Sequence, residues 1–594
     1  MKKFLVFFVI ITYAVTFISL AQTEDVFDTQ KRIFSKIEKI ESQKGVFISG
    51  RAKFQYEYFT ATGPAVDTNS MIAGTKPMIQ SDIQIEARPA SFIKAGTILR
   101  VQNDLEGFYG TGDLFEARKI WLEAILFRFI KIRFGDFNIS LSPLSFWTET
   151  DDSVYDAMLF RLQREDSVYQ AELTEYNDLP LSGIKIDFGF DANTGLPGAM
   201  GKIIPTSYDF KGYVSRIDTQ SASGAYDRYM FGANLSAVNL PVFSSSLNGN
   251  FIYDIEPTQV SSNVKNLLGN NVVTASIFFN PLGAFKDLYI LELSGEVGIS
   301  SVRTNRKNND VISDYGLVGK VSLGYSATKL WIKRIDVGNE YYAPAAQSWS
   351  RNRGRGDYLS SQDLESSLFF PVYDTRVHIV RRWDKPLDLT SPMGDATPNR
   401  QGYGLGFLTK DLSFFEGFFE YGLYQEIRPV GVTNKRSFNT LDTGVKFSFD
   451  KLINFKYLPV ITGLFKYERL IRKEDLSNST NKDAEDLTTR IITIGMELPI
   501  FKKLTLLAAY ERSFHKGNCF FDDNDVSSVP LRITTHVPYS AKKNVEVVSC
   551  GFLYQFLKKG KFRLDYTFLS YKSLVSNEKN YDFHRISSFY EILF

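Results

Sequence analysis

From Val46 onward, apolar and polar residues change places with a period of two, the period of a strand that shows one dry face and one wet face. In the first such segment Ile48, Ala52, Phe54, Tyr56 and Tyr58 fall on one side, and Ser49, Arg51, Lys53, Gln55 and Glu57 on the other. The next sets Ile79, Ile83, Ile85 and Ala87 against Gln80, Asp82, Gln84, Glu86 and Arg88. The pattern recurs in Leu291, Leu293, Val297 and Ile299, in Leu441, Thr443, Val445, Phe447 and Phe449, and in Ile492, Ile494, Met496 and Leu498. Beyond residue 22 no stretch approaches the roughly 18 apolar residues of a membrane-spanning helix, so a membrane is crossed here only by strands.

Strands with one apolar face build either a soluble sandwich or a membrane barrel, and the connections separate the two. Alternate connections are short: Pro89–Phe92, Asn239–Phe243, Asn280–Gly283, Leu498–Lys503 and Leu557–Lys561. Those between them are long and polar, at roughly 60–76, 141–154, 256–270, 302–313, 338–361, 384–400, 472–487 and 514–543. A sheet with short turns at one end and long loops at the other is an up-and-down barrel. The expectation is therefore an all-β, single-chain antiparallel transmembrane β-barrel over 46–594, of about 26 strands. The count ranges from about 22 to about 26, because residues 193–205 form a long connection where a short one is due.

Composition fits such a wall. Phe and Tyr number 50 and 31, and aromatics make up 14% of the chain, which a lipid-facing surface with interfacial girdles uses and a disordered chain lacks. Pairs such as Phe127 and Phe129, Phe278–Phe279, Phe414–Phe415 and Phe418–Phe419 lie beside short turns, where a girdle belongs. Two cysteines make no disulfide scaffold.

Residues 1–21 read as a cleaved export signal: Lys2–Lys3, an apolar run from Phe4 to Phe17, then Ser19–Leu20–Ala21 with small residues where a signal peptidase needs them. An uncleaved anchor is the rival reading. With Lys2 and Lys3 gone, basic and acidic residues balance at 67 each, and no basic block offers a footprint for nucleic acid. Residues 22–45 are expected to carry a periplasmic amphipathic helix, with Val26, Ile33, Phe34, Ile37 and Ile40 on one stripe. It packs on a neighbouring surface or, alternatively, forms a short oligomerising coiled coil.

The last ten residues, Arg585–Phe594, alternate Ile586, Ser588, Tyr590, Ile592 and Phe594 on one face and end in Phe. Here the sequence resembles the outer-membrane β-barrel proteins of Gram-negative bacteria. The resemblance lies in architecture and carries no family-specific motif. It implies a location in outer-membrane lipid and an assembly signal in Tyr590, Ile592 and Phe594 that the barrel-assembly machinery reads. Transporters of this class that depend on an energy-coupling protein carry an N-terminal plug domain, for which residues 22–45 are too few.

Signatures of covalent chemistry are missing: there is no GxSxG, HExxH, Walker loop or CxxC, and neither an enzyme nor a cofactor is expected. Gly402, Gly404 and Gly406 sit in a strand and ease packing rather than bind phosphate. His378, His515, His536 and His584 are scattered, Cys519 falls in the 514–543 loop, and Cys550 falls on a lipid-facing set. Arg51, Lys53, Glu57, Asp82, Glu86, Arg88, Arg100 and Asp104 are expected to line the lumen with mixed charge. Arg351, Arg353, Arg355 and Asp357 belong to a long loop that is either solvated, a constriction or ligand contact in the pore, or an Arg-Gly-Asp adhesion motif. Residues 395–400 read as a turn at the foot of that loop.

The functional expectation is an outer-membrane channel or transporter, acting alone or with a periplasmic partner on the short-turn side. A barrel of this size is roughly 50 Å across, so inserted loops must occlude it. The alternatives are a surface binding module anchored by the barrel and, third, a membrane-embedded hydrolase.

Overall fold

The computed structural model describes residues 44–64, 73–103, 105, 114–127, 129–139, 141–146, 155–163, 179–191, 205–219, 227–239, 242–255, 269–284, 289–303, 311–343, 345–346, 394–429, 434–473, 484–524, 533–574 and 580–594. The first strands are β1 (Gly45–Thr62), β2 (Ala73–Ala90), β3 (Ile93–Asn103), β4 (Leu114–Leu126), β5 (Ile130–Ile139), β6 (Leu179–Asp191) and β7 (Ser207–Thr219). Next come β8 (Asp227–Asn239), β9 (Phe243–Ile255), β10 (Gly269–Phe279), β11 (Tyr289–Arg303), β12 (Val311–Tyr325), β13 (Thr328–Val337), β14 (Arg400–Leu412) and β15 (Phe415–Gln425). The ring is completed by β16 (Ser437–Ser448), β17 (Val460–Arg472), β18 (Glu485–Phe501), β19 (Leu504–Asn524), β20 (Ile533–Leu557), β21 (Gly560–Ser573) and β22 (Tyr581–Leu593).

Each strand pairs antiparallel with its neighbours in sequence, and β1 pairs with both β2 and β22, so the 22-stranded sheet closes on itself and leaves no edge. At the seam Gly50 and Phe594 exchange backbone hydrogen bonds of 3.0 Å in both directions. A Cβ on Gly50 would lie 2.6 Å from the Phe594 ring, so this glycine makes room for that aromatic. Most turns after even-numbered strands are short, among them Ser91–Phe92, Ser326–Ala327, Ser413–Phe414, Lys502–Lys503 and Lys558–Lys559, although the β16–β17 connection runs over 449–459. The longest connections, β5–β6 and β13–β14, follow odd-numbered strands. The exception at 193–205 is real: the β6–β7 connection is on the short-turn side.

The count of about 26 strands is corrected to 22. β5 pairs directly with β6 and β13 with β14, so the connections between them place no strand in the wall. These connections carry apolar residues of their own: Leu144, Phe146, Leu159, Phe160 and Tyr341 are fully buried. A second correction concerns 514–543, expected as a loop. Most of it is strand, since β19 runs to Asn524 and β20 starts at Ile533, in exact continuation of one ladder. The helix expected over 22–45 lies outside the described residues, save for Lys44 and the first residue of β1.

Alternation separates the two faces. Ile48, Phe54, Tyr56, Ile79, Val297, Ile299, Ile492 and Ile494 are exposed on the outer surface, while Lys53, Gln55, Glu57, Gln80, Asp82 and Glu296 are buried on the inner one. This inversion, apolar outside and polar inside, is that of a wall facing lipid. Cys550 is exposed and Cys519 buried, and both are free thiols. Phe127 is 77% exposed beside the β4–β5 turn, as a girdle residue should be, whereas Phe418 turns inward and packs its ring 4.9 Å from that of Tyr155. Gly402 and Gly406 do serve packing: a Cβ on Gly406 would lie 2.0 Å from the Trp331 ring, and one on Gly402 would lie 2.1 Å from the Leu423 carbonyl.

Candidate functional site

The inner wall has a charged sector around the seam. Arg100 Nε and Nη2 donate to the two Asp82 oxygens at 2.6 and 2.9 Å, and Gln80 Nε2 donates to Asp82 Oδ2 at 2.9 Å. Glu57 lies 3.8 Å from Arg585 and accepts from Ser587 Oγ at 3.4 Å. Arg51 and Lys561 share Glu591, at 2.8 Å from Arg51 Nε and 3.3 Å from Lys561 Nζ. The Phe589 ring lies beneath Lys53, 4.7 Å away, and beneath Arg563, 4.1 Å away. Glu86 pairs with Arg88 along one strand. Buried charges persist only when paired, and here Asp82 with Arg100, Glu57 with Arg585 and Glu591 with Arg51 and Lys561 pair across strand boundaries.

The structure thus brings together Asp82 with Arg100 and Glu86 with Arg88 among the residues singled out from sequence. It gives Arg51 and Glu57 partners that the sequence reading missed, Glu591 and Arg585. Their signal was available: Arg585, Ser587, Phe589 and Glu591 are the alternate positions to Ile586, Ser588, Tyr590 and Ile592 on the last strand. Asp104, Arg351, Arg353, Arg355 and Asp357 lie outside the described residues. Tyr590 is exposed and stacks on Phe556 at 5.0 Å.

A second sector, on β7 to β11, is rich in amides and hydroxyls, with the carboxylates of Asp254 and Glu296 also buried there. Tyr213 Oη donates to Asn250 Oδ1 at 2.7 Å, Asn234 Nδ2 to Asn248 Oδ1 at 2.6 Å, and Asn248 Nδ2 to Thr274 Oγ1 at 3.2 Å. Two segments from the long-loop end descend onto it. Ser142 Oγ and Thr274 Oγ1 are 3.0 Å apart, Asn270 Nδ2 donates to the Tyr342 carbonyl at 3.0 Å, and the Tyr342 amide donates to Ser300 Oγ at 2.9 Å. Tyr341 Oη donates to the Leu144 carbonyl at 2.7 Å, joining the two segments. Burial pushes the Tyr341 phenol above its ordinary range, which keeps that donor protonated.

The wall is shaped for these segments. A Cβ on Gly298 or Gly316 would lie 2.8 or 3.2 Å from atoms of the Tyr341 ring and hydroxyl. A Cβ on Gly444 would lie 2.7 Å from Tyr155 Cβ, and one on Gly495 would lie 2.6 Å from Ala157 Cα. Strand glycines weaken a sheet unless something approaches closely, and here the approaching groups are inserted loop residues. Beyond Ala157, the helix over 158–163 packs Leu159 and Phe160 against Leu507, Val545, Val547, Leu569, Tyr571 and Phe583, and Gln163 Nε2 donates to Asp565 Oδ1 at 2.7 Å.

The foot of the β13–β14 connection is clamped. Residues 394–396 form a 3-10 turn, consistent with the turn expected there, and Asp395 pairs with Lys333 at 2.5 Å. Asn399, in the left-handed region at φ 57°, accepts the amides of Ile427 and Arg428 at 2.9 Å each. Beside it, Arg436 forms a two-pronged bond to Glu485 at 2.8 and 2.9 Å, and Arg472 adds a third contact at 3.0 Å.

These groups position segments and present polar contacts. His515 Nδ1 is 3.1 Å from Thr489 Oγ1, and His584 Nδ1 is 2.7 Å from Tyr566 Oη. Among the described residues no group of three or more His, Cys, Asp or Glu is placed to hold a metal ion.

No protein-family model matches the chain, and no curated protein matches it in sequence. Among solved structures it is similar to OccK2 (OpdF) of Pseudomonas aeruginosa, at 8% identity and TM-score 0.35, over 92% of this chain and 98% of that one. It is similar to the copper transporter OprC, at 8% identity and TM-score 0.46, over 93% of this chain and 81% of that one. It is also similar to the outer membrane channel DcaP of Acinetobacter baumannii, at 10% identity and TM-score 0.27, over 93% of this chain and 99% of that one. What the chain has in common with these proteins is a closed β-barrel.

Proposed function

We propose that the protein is an outer-membrane channel or transporter for a polar solute, with a lumen closed by residues 141–146, 155–163, 338–343 and 345–346. The observation that carries this reading is the fit of those segments to the inner wall, where Gly298, Gly316, Gly444 and Gly495 vacate the space that Tyr341, Tyr155 and Ala157 fill. A ring of 22 strands is roughly 45 Å across at the usual strand spacing and tilt, far too wide to stand empty in a permeability barrier. Pairing of most inner charges leaves little field of one sign, which suits an uncharged or mixed-charge solute better than a simple ion. Export through residues 1–21, delivery by the barrel-assembly machinery through Tyr590, Ile592 and Phe594, and docking of a periplasmic partner at the short turns complete the proposal.

Planar-bilayer recording of the purified full chain tests it. The wild type should show a small or gated conductance, and replacement of 141–163 by a short Gly-Ser link should give a large, lasting one. A wild-type barrel that is wide open at all times would refute the closure.

A further inference from the structure

On the outer surface, one row across five strands reads Ile277, Gly295, Gly319, Arg334 and Tyr403, each opposite the next in register. The two adjacent glycines remove two side chains from this row. Phe243, Phe279, Leu293, Val321 and Ile332 border the gap, and together they form a groove of about 670 Å³, within the roughly 300–1,000 Å³ range of small-molecule sites.

These glycines differ from those of the inner wall. Gly406 lies under Trp331 and Gly495 under Ala157, so the protein's own atoms account for the missing side chains. A Cβ on Gly319 would meet no atom within 4 Å, and one on Gly295 would meet only the Val318 carbonyl at 3.6 Å. A strand glycine with nothing over it marks a place where an external group approaches the backbone.

Two cationic residues line the groove: Lys320, whose ammonium lies over the Trp331 ring at 4.4 Å, and Arg334. Arg334 points outward, lies 4.5 Å from the Tyr403 ring and donates to Asp336 Oδ2 at 2.9 Å; Asp336 also accepts from Tyr315 Oη at 3.1 Å. Asp336 engages one nitrogen of the Arg334 guanidinium, whose planar fork of five N–H donors can also take a phosphate oxygen.

We infer that this groove is a lipid-binding site, holding one acyl chain of a glycerophospholipid along Gly295 and Gly319 with the lipid phosphate on Arg334. The inference rests on the reading of the barrel as a membrane wall. A slot two strands wide, roughly 10 Å, accepts a single flexible chain and excludes the broad convex face of a second barrel. The ridges of Ile277 and Tyr403 at its ends hold the chain in place.

The test uses the full chain, reconstituted in phosphatidylethanolamine–phosphatidylglycerol nanodiscs, then moved to mild detergent and weighed by native mass spectrometry. Wild type should retain about one phospholipid per barrel. Gly319→Leu, whose Cβ enters open space, should lose it to background, with an unchanged heat-modifiable gel mobility showing that the barrel is folded. Arg334→Gln should lose retained phospholipid but keep diacylglycerol, which has the acyl chains and no phosphate; Gly295→Leu repeats the groove test should Gly319→Leu misfold. Equal retention by wild type and the groove-filling variants would overturn the inference. So would a wild-type dimer that Gly319→Leu dissociates, since a second copy would then be the occupant. Failure of the wild type to enter nanodiscs at all would instead overturn the membrane reading beneath it.

Discussion

Tyr341 is the residue through which both inserted segments depend on one another, and its replacement has a calculable effect. It is 1% exposed, its hydroxyl bonds the Leu144 carbonyl at 2.7 Å, and its ring occupies the space left by Gly298 and Gly316. Tyr341→Phe removes one buried hydrogen bond, about 1 kcal/mol, or roughly fivefold in the ratio of docked to undocked segment. Tyr341→Ala also vacates a buried ring, for about 3–5 kcal/mol, which shifts that ratio by roughly 10² to 10³·⁵. Hydrogen exchange of the reconstituted protein, read on peptides covering 141–146 and 341–346, checks both numbers. Exchange should rise modestly in the first variant and steeply in the second, with wall strands such as β19 unchanged. If Tyr341→Ala exchanges at the wild-type rate in both segments while the barrel stays folded, the docking argument is wrong.

Two further outcomes follow from the same geometry. Asp82→Ala leaves the buried Arg100 charge without its carboxylate and should cost about 3–5 kcal/mol in urea unfolding from lipid vesicles; adding Arg100→Met should recover most of that loss. Gly406→Val drives a side chain into the Trp331 ring and should lower thermal stability, whereas Gly319→Ala on the opposite face, with open space around it, should be close to neutral.

Much of the architecture is legible in the sequence because a membrane wall obeys a local rule. Whether Ile79 or Gln80 faces lipid is decided by parity, and parity survives across a strand of any partner. The number of strands is not local. Leu144, Phe146, Leu159 and Phe160 are apolar because they pack inside the lumen, which a rule that assigns apolar residues to the lipid face does not anticipate. The opposite error occurs at 514–543: β19 and β20 have 21 and 25 residues, more than the ~10 that cross a bilayer, so their far ends need no dry face and read as polar loop. Partner choice was illegible for a third reason. Arg51 meets Glu591 only because the ring closes at a particular register, and no local pattern encodes a contact between residues so distant in sequence.

The account depends most on the loop residues being inside the barrel, and a designed disulfide tests this directly. A Cβ built on Gly495 lies 2.8 Å from Ala157 Cβ, close enough for a bridge after a small outward adjustment toward the usual ~3.8 Å. In the full chain with Cys550 replaced by Ser, Ala157→Cys with Gly495→Cys should oxidise to a single cross-linked species, seen by mass spectrometry of the joined peptides. If both thiols stay free and react with a bulky maleimide added to the folded barrel, then residues 155–163 are not seated on the inner wall and the closed lumen is contradicted.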